Sequence, residues 1–181
     1  MSEARPRIGV SACLLGQEVR YDGGHKRHAF LCDELAQRVE FVPVCPEVEL
    51  GLGTPRETIR LVSSAPGGVR LEAPGSGRDL TEPMAEYARE RVAALRAEGL
   101  DGYVLKSKSP SCGLTGVELH QPHGPALPVG RGAFAHALHV AWPELPLAEE
   151  RDLEDEPGRA KFLERVFAYA RLRGQTSEPP L

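Results

Sequence analysis

Arg7-Ile8-Gly9-Val10-Ser11-Ala12-Cys13-Leu14-Leu15, running into Gly16, decides how the rest of the chain is read. After Arg7 the run is short, apolar and uncharged, as expected of a strand buried on both faces. It carries a cysteine near its end. Glu40-Phe41-Val42-Pro43-Val44-Cys45-Pro46 repeats the pattern, a second strand ending at a cysteine, with Pro43 tolerable only where its missing N–H does no harm. Gly102-Tyr103-Val104-Leu105-Lys106 is a third strand, followed at once by Ser107-Lys108-Ser109-Pro110-Ser111-Cys112-Gly113.

Helical spacing fills the intervals. Phe30, Leu31, Leu35 and Val39 predict a helix over residues 28–38. Met84, Ala88, Val92 and Leu95 recur every three or four residues and predict a long helix from Glu82 to Glu98, capped by Thr81 and closed by Gly99. A short helix over Ala133–Ala141 and an amphipathic one over Lys161–Leu172 follow, with a strand at Leu145–Ala148 between them. Ile59–Val62 and Val69–Glu72 alternate apolar and polar residues about Gly67-Gly68, which reads as a small inserted hairpin. Strands alternating with helices predict an α/β layered fold with a mainly parallel sheet. Ligands of such sheets bind beyond the carboxyl ends of the strands, where separate loops can gather the three cysteines.

Composition narrows the function classes. Lys and Arg number 22 against 26 Asp and Glu, a net charge of −4 that speaks against a stable nucleic-acid complex. No apolar run has the length of a membrane span, and the N-terminus lacks a signal-peptide core, so a cytoplasmic location is expected. Residues 1–6 read as a flexible arm, 7–173 as one domain and the polar, Pro-containing 174–181 as a flexible tail. In a reducing compartment the four cysteines call for burial, metal binding or reactivity rather than disulfides.

Cys13, Cys45 and Cys112 share a setting that Cys32 lacks, a strand-to-loop transition with Gly, Pro or Ser alongside. Cys32 falls among Phe30, Leu31 and Leu35 and reads as helix packing. The long separations are unlike the Cys-x-x-Cys pairs of zinc fingers or ferredoxins, so spacing alone leaves three readings open: a metal or cluster site, buried thiols, or a cysteine nucleophile. A three-cysteine zinc site would want a fourth ligand, for which His25, His28, His120, His123, His136 and His139 are candidates by count alone. Glu47 in Cys45-Pro46-Glu47 is a candidate proton-exchanging carboxylate, and Ser109 a candidate hydroxyl donor and acceptor. Arg20, Lys26, Arg56, Lys106 and Lys108 offer positive charge to a thiolate-rich site, and Tyr21 a ring for stacking. Gly23-Gly24 and Gly51-x-Gly53 do not form a dinucleotide fingerprint.

Taken together, Ser11-Ala12-Cys13-Leu14-Leu15-Gly16 with Val19-Arg20-Tyr21-Asp22-Gly23, Cys45-Pro46-Glu47 with Pro55-Arg56, Lys106 through Cys112-Gly113, and Gly132-Ala133-Phe134-Ala135 resemble the thiouracil desulfidase family of bacterial cytoplasmic proteins. The resemblance runs over roughly residues 7–173. It implies a Rossmann-like domain carrying a [4Fe–4S] cluster on Cys13, Cys45 and Cys112, with Glu47 as acid–base residue and Ser109 as active-site serine. It implies conversion of 2-thiouracil, or a related thiolated pyrimidine, into a uracil-type product and sulfide without net redox change. Members with an extra domain act on other thiolated pyrimidines or nucleosides, and this chain has the length of the short form. Two alternatives stay open beside it: a non-enzymatic iron–sulfur or zinc module, and a metal-free sulfurtransferase working through a cysteine persulfide.

Overall fold

The computed structural model describes residues 5–174; apart from Arg5, Pro6 and Gly174, the expected arm and tail lie outside it. Strands β1 (Arg7–Ser11), β2 (Glu40–Val44), β6 (Gly102–Leu105) and β9 (Leu147–Glu149) form one four-stranded sheet in the order β2-β1-β6-β9. Every pairing in it is parallel. The chain therefore leaves β1 first to one side, to β2, and later to the other, to β6. That reversal of direction at β1 opens a crevice at the carboxyl ends of β1, β2 and β6.

Both faces of this sheet are covered at its centre, which is why residues 8–10 of β1 and all of β6 are apolar and buried, while the edge strand β2 is only partly so. Ile8, Val10 and Val104 point to one side, against Phe30, Leu31 and Leu35 and against Phe162, Val166 and Phe167 of α4 (Glu156–Leu172). Tyr103 and Leu105 point to the other, against Val92 and Leu95 of α2 (Thr81–Glu98) and Phe134 and Leu138 of α3 (Ala133–Ala141). Gly9 is required here: a Cβ would lie 2.2 Å from Cδ2 of the buried Tyr103. Val10 and Leu95 are each 0% exposed, so truncating either to Ala removes well-packed methyl groups, at a cost of about 2–5 kcal/mol for Leu95.

The remaining strands make a second, mixed sheet in the order β5-β4-β3-β7-β8. Its strands are β3 (Arg60–Ser64), β4 (Gly68–Ala73), β5 (Arg78–Asp79), β7 (Val117–His120) and β8 (Leu127–Gly130). The predicted hairpin is its β3–β4 pair, antiparallel with Leu61 opposite Leu71. It is not an isolated insert, because β7 adds parallel to β3 and brings β8 with it. Leu61, Leu71 and Val117 bury their side chains with Met84, so α2 serves both sheets.

Three local expectations are corrected. Residues 28–38 form no regular α-helix: Phe30–Glu34 is a π-type turn and Leu35–Gln37 a 3₁₀ turn. The five-residue step from Phe30 to Leu35 matches the wider turn, whose closing N–H of Leu35 reaches back to the Phe30 carbonyl. Thr81 begins α2 rather than capping it; its hydroxyl accepts from the Leu71 N–H at 2.9 Å and donates to Asp79 at 2.6 Å, tying the helix to β4. The loop expected after Cys45 opens instead with a single helical turn, α1 (Pro46–Glu49), begun by Pro46. Gly99, by contrast, closes α2 in the left-handed conformation as its position predicts.

Candidate functional site

β1 ends at Ser11, and a 3₁₀ turn over Ala12–Leu15 carries Cys13. β2 ends at Val44, and Cys45 stands immediately before α1. β6 ends at Leu105, and the following loop carries Cys112. All three cysteines line one cavity of about 420 Å³ at the switch in strand order. That volume lies within the range of small-molecule sites. Glu47, Ser109, Arg20, Tyr21, Lys26, Arg56, Lys106 and Lys108 line it too. None of the six histidines does, and Cys32 lies elsewhere, half-buried, with its thiol 3.6 Å from the Leu14 carbonyl.

The three thiols are unpaired, and Cys13 and Cys112 are buried. Burial pushes the Cys13 thiol up to about 11, against the pull of Lys106 and Arg20. Burial and then the neighbouring Glu47 carboxylate push Cys45 up to about 11. Cys112 is raised well above the ordinary thiol range by burial, by Glu47 and by the two other cysteines, with the Ser11 hydroxyl opposing. A set of thiols that disfavour each other's negative charge is what a cationic centre would convert to thiolates.

Among the described residues no three His, Cys, Asp or Glu side chains are arranged to share a metal ion. A cubane cluster makes a different demand, since each thiolate binds its own iron and the three sulfurs stand farther apart than round one ion. Three soft thiols on one cavity wall, with no histidine beside them, fit an iron–sulfur core in donor chemistry and number.

Glu47 sits on α1 with its Oε2 3.5 Å from the Cys45 Sγ and 4.0 Å from Nη2 of Arg56. Arg56 is itself fixed: its Nη1 donates to the Val19 carbonyl at 2.8 Å and the Gly53 carbonyl at 2.9 Å. The Ser109 hydroxyl oxygen accepts from the Cys112 N–H at 3.0 Å and the Ser111 N–H at 3.2 Å, so it shapes the turn that presents Cys112. Its hydrogen is left for another acceptor. Lys108, in the same loop, has the positive φ of 60° that a non-glycine residue adopts only when its surroundings hold it there.

Two carboxylates that bear on the site were missed in the sequence. Glu150 pairs with Lys106 and accepts from the Ser107 N–H and hydroxyl, each at 2.6 Å. Glu149, 2% exposed, accepts from the Leu114 N–H at 2.7 Å and pairs with Arg151, holding the chain just past Cys112. Both lie at the carboxyl end of β9, the fourth parallel strand, and applying the strand-end rule there would have found them.

Known proteins supply an independent comparison. An uncharacterised Bacillus subtilis (strain 168) protein, YbbK, is 34% identical over 110 residues, which is 59% of this chain and 72% of YbbK. The solved structure of a [4Fe-4S]-dependent thiouracil desulfidase, TudS, superposes with a TM-score of 0.67 at 31% identity, covering 82% of this chain and 93% of TudS. The sequence family described as 2-thiouracil desulfurase matches residues 8–150, a stretch that takes in Cys13, Cys45 and Cys112 and all the cavity residues around them. With most of its length matched, this chain belongs to the 2-thiouracil desulfurase family.

Proposed function

We propose that this protein is a [4Fe–4S]-dependent desulfidase that exchanges the sulfur of 2-thiouracil, or of a related thiolated pyrimidine, for oxygen. The products are a uracil-type base and sulfide. The observation that supports this reading best is the convergence of Cys13, Cys45 and Cys112 on one cavity with Glu47 beside them. A cluster held by these cysteines would supply one iron free of protein thiolate, a soft Lewis acid suited to the substrate's sulfur.

The chain's own groups do the rest. Glu47 takes a proton from the water that attacks the thiolated ring carbon and returns protons to the departing sulfide, so oxygen replaces sulfur with no electron donor. Arg56 holds the carboxylate in place. Ser109 offers its free hydroxyl hydrogen to the ring or the water, and Tyr21, 44% exposed, presents a ring face to the flat base. Arg20, Lys26 and Lys106 offset the negative charge of the thiolates. No helix among the described residues is long and apolar enough to cross a membrane. A site that works with reduced thiols suits the reducing cytoplasm, which is the proposed location.

Anaerobic reconstitution with iron and sulfide tests the proposal. The expected result is about four irons and four inorganic sulfides per chain. Uracil and sulfide should then appear in equal amounts from 2-thiouracil without added reductant. Stoichiometric zinc without inorganic sulfide, or a fully loaded cluster with no turnover of any thiolated pyrimidine, overturns it.

A further inference from the structure

α2 and α3 meet the second sheet along a groove of about 860 Å³, twice the volume of the cysteine cavity. Its floor is aliphatic: Leu61 and Leu71 from the sheet and Val92 from α2, all buried. Val69, Val129 and Val140 stand round it 48%, 68% and 63% exposed, an apolar rim left to solvent. Arg70, Arg89, Arg96 and Arg131 line the same groove, and no Asp or Glu does. On a chain of net charge −4 that is a local reversal of sign.

Two of the four, Arg89 and Arg131, have no acidic or aromatic partner among the described residues. Arg70 has Glu72 and Asp79 at 3.8 Å. Arg96 donates to the Ala141 carbonyl and lies over the Trp142 ring at 5.6 Å, whereas Arg131 donates to the Leu114 carbonyl, which orients it but leaves its charge uncompensated. Arg89, exposed on α2, has no hydrogen bond or ion pair among the described residues. An apolar floor beside the unneutralised guanidinium groups of Arg89 and Arg131 is complementary to an organic anion with a hydrophobic body.

We propose that this groove is a second binding site, distinct from the cysteine cavity, for a small amphipathic anion: an aryl or alkyl chain carrying a carboxylate, sulfonate or phosphate. The volume is that of a small-molecule site rather than of a protein interface. Two copies meeting here would set arginine against arginine. No Phe, Tyr or Trp lines the groove, so bases of a nucleic acid have nothing to stack on. Pro128 withholds an N–H from the edge strand β8, which blunts strand addition by a peptide.

Two matched probes test this on cluster-loaded protein. 8-Anilino-1-naphthalenesulfonate carries the anion; N-phenyl-1-naphthylamine has the same rings without it. Fluorescence titration should show one saturable site that favours the sulfonate by about tenfold or more. Arg89→Glu should weaken the sulfonate about tenfold and leave the amine unchanged, with Arg89→Gln between. Ala93→Trp, a bulky residue at an exposed wall position, should remove both, while 2-thiouracil turnover stays at the parental rate in all three. Equal affinity for the two probes, or affinities untouched by Arg89→Glu and Ala93→Trp, overturns the proposal. So does a doubling of mass with loss of probe binding at high protein concentration, which would mean that a second copy fills the groove. Displacement of the probe by a Leu- and Glu-rich peptide at lower concentration than by dodecanoate also overturns it, in favour of a protein partner.

Discussion

Arg56 and Glu47 face each other across 4.0 Å with only 8% and 11% of their side chains exposed, joining the loop after α1 to the acid–base candidate beside Cys45. Because Arg56 Nη1 is also held by Val19 and Gly53, the guanidinium is a fixed post against which the carboxylate rests. Lysine retains the charge without the planar fork that makes these contacts. Arg56→Lys should therefore keep its iron content and lose about tenfold in kcat with KM little changed, while Arg56→Ala loses more. Parental kcat in Arg56→Ala would remove the residue from the mechanism.

Glu47→Gln keeps size and shape but removes the proton-exchanging group. Cluster absorption and binding of the thiolated base should survive, and turnover should drop about 10²- to 10⁴-fold. Near-parental turnover at full cluster content would leave Glu47 a structural carboxylate.

Serine at Cys13, Cys45 or Cys112 should abolish stable cluster loading, since an alcohol is a poor ligand for iron in a sulfur core. Cys32→Ser should retain iron and sulfide, because that thiol lies off the cavity and points its hydrogen at the Leu14 carbonyl. Iron and sulfide assays on the four purified variants decide the assignment. Loss of iron from the Cys32 variant with retention in Cys13→Ser would reverse it.

Gly132 permits the approach of α3 to the cysteine loop. A Cβ there would lie 2.4 Å from the Ser111 carbonyl carbon and 2.7 Å from the Cys112 nitrogen, both backbone atoms that cannot swing aside. Gly132→Ala should lower the unfolding midpoint by several degrees and cut cluster occupancy, an effect on stability of about 1–3 kcal/mol. Thermal melts and iron content on one preparation would show both; a parental melt with full occupancy would show that the loop is free to shift.

Glu150 offers a test in pH. Burial pushes its carboxyl up, but hydrogen bonds from Lys106 and Ser107 outweigh that and hold it below the ordinary glutamate range. A depressed carboxylate contributes stability above its unfolded pKa, and that contribution is lost as pH falls through the folded value. Stability should thus fall more steeply with acid in the parent than in Glu150→Gln over the range below about pH 4.5. Urea melts between neutral and acid pH check this; parallel curves would show that Glu150 is not a depressed carboxylate in solution.

The parallel sheet was legible because its central strands are buried on both faces, so Ile8-Gly9-Val10 and Tyr103-Val104-Leu105 carry the signal in composition alone. The helix over Ala133–Ala141 was legible to the residue. The second sheet was half read. Val117 and Leu119 alternate, as do Leu127 and Val129, but each run is four residues long, and β3, which joins the β7–β8 pair to the rest of the sheet, lies more than fifty positions before β7. A short strand without a nearby partner has no local signature strong enough to separate it from a loop.

By itself the sequence determined that three cysteines follow three buried strands and that Glu47, Arg56, Ser109 and Lys106 travel in the same loops, because strand ends and turns are written in local residue types. Only the tertiary structure decided that β1 lies between β2 and β6, which brings those loops round one cavity. It alone set Glu150 on Lys106 and gathered four arginines round an apolar groove between α2, α3 and the second sheet. The physical reason is that strand order and helix placement depend on which apolar faces bury one another across the whole chain, and no window of neighbouring residues contains that choice.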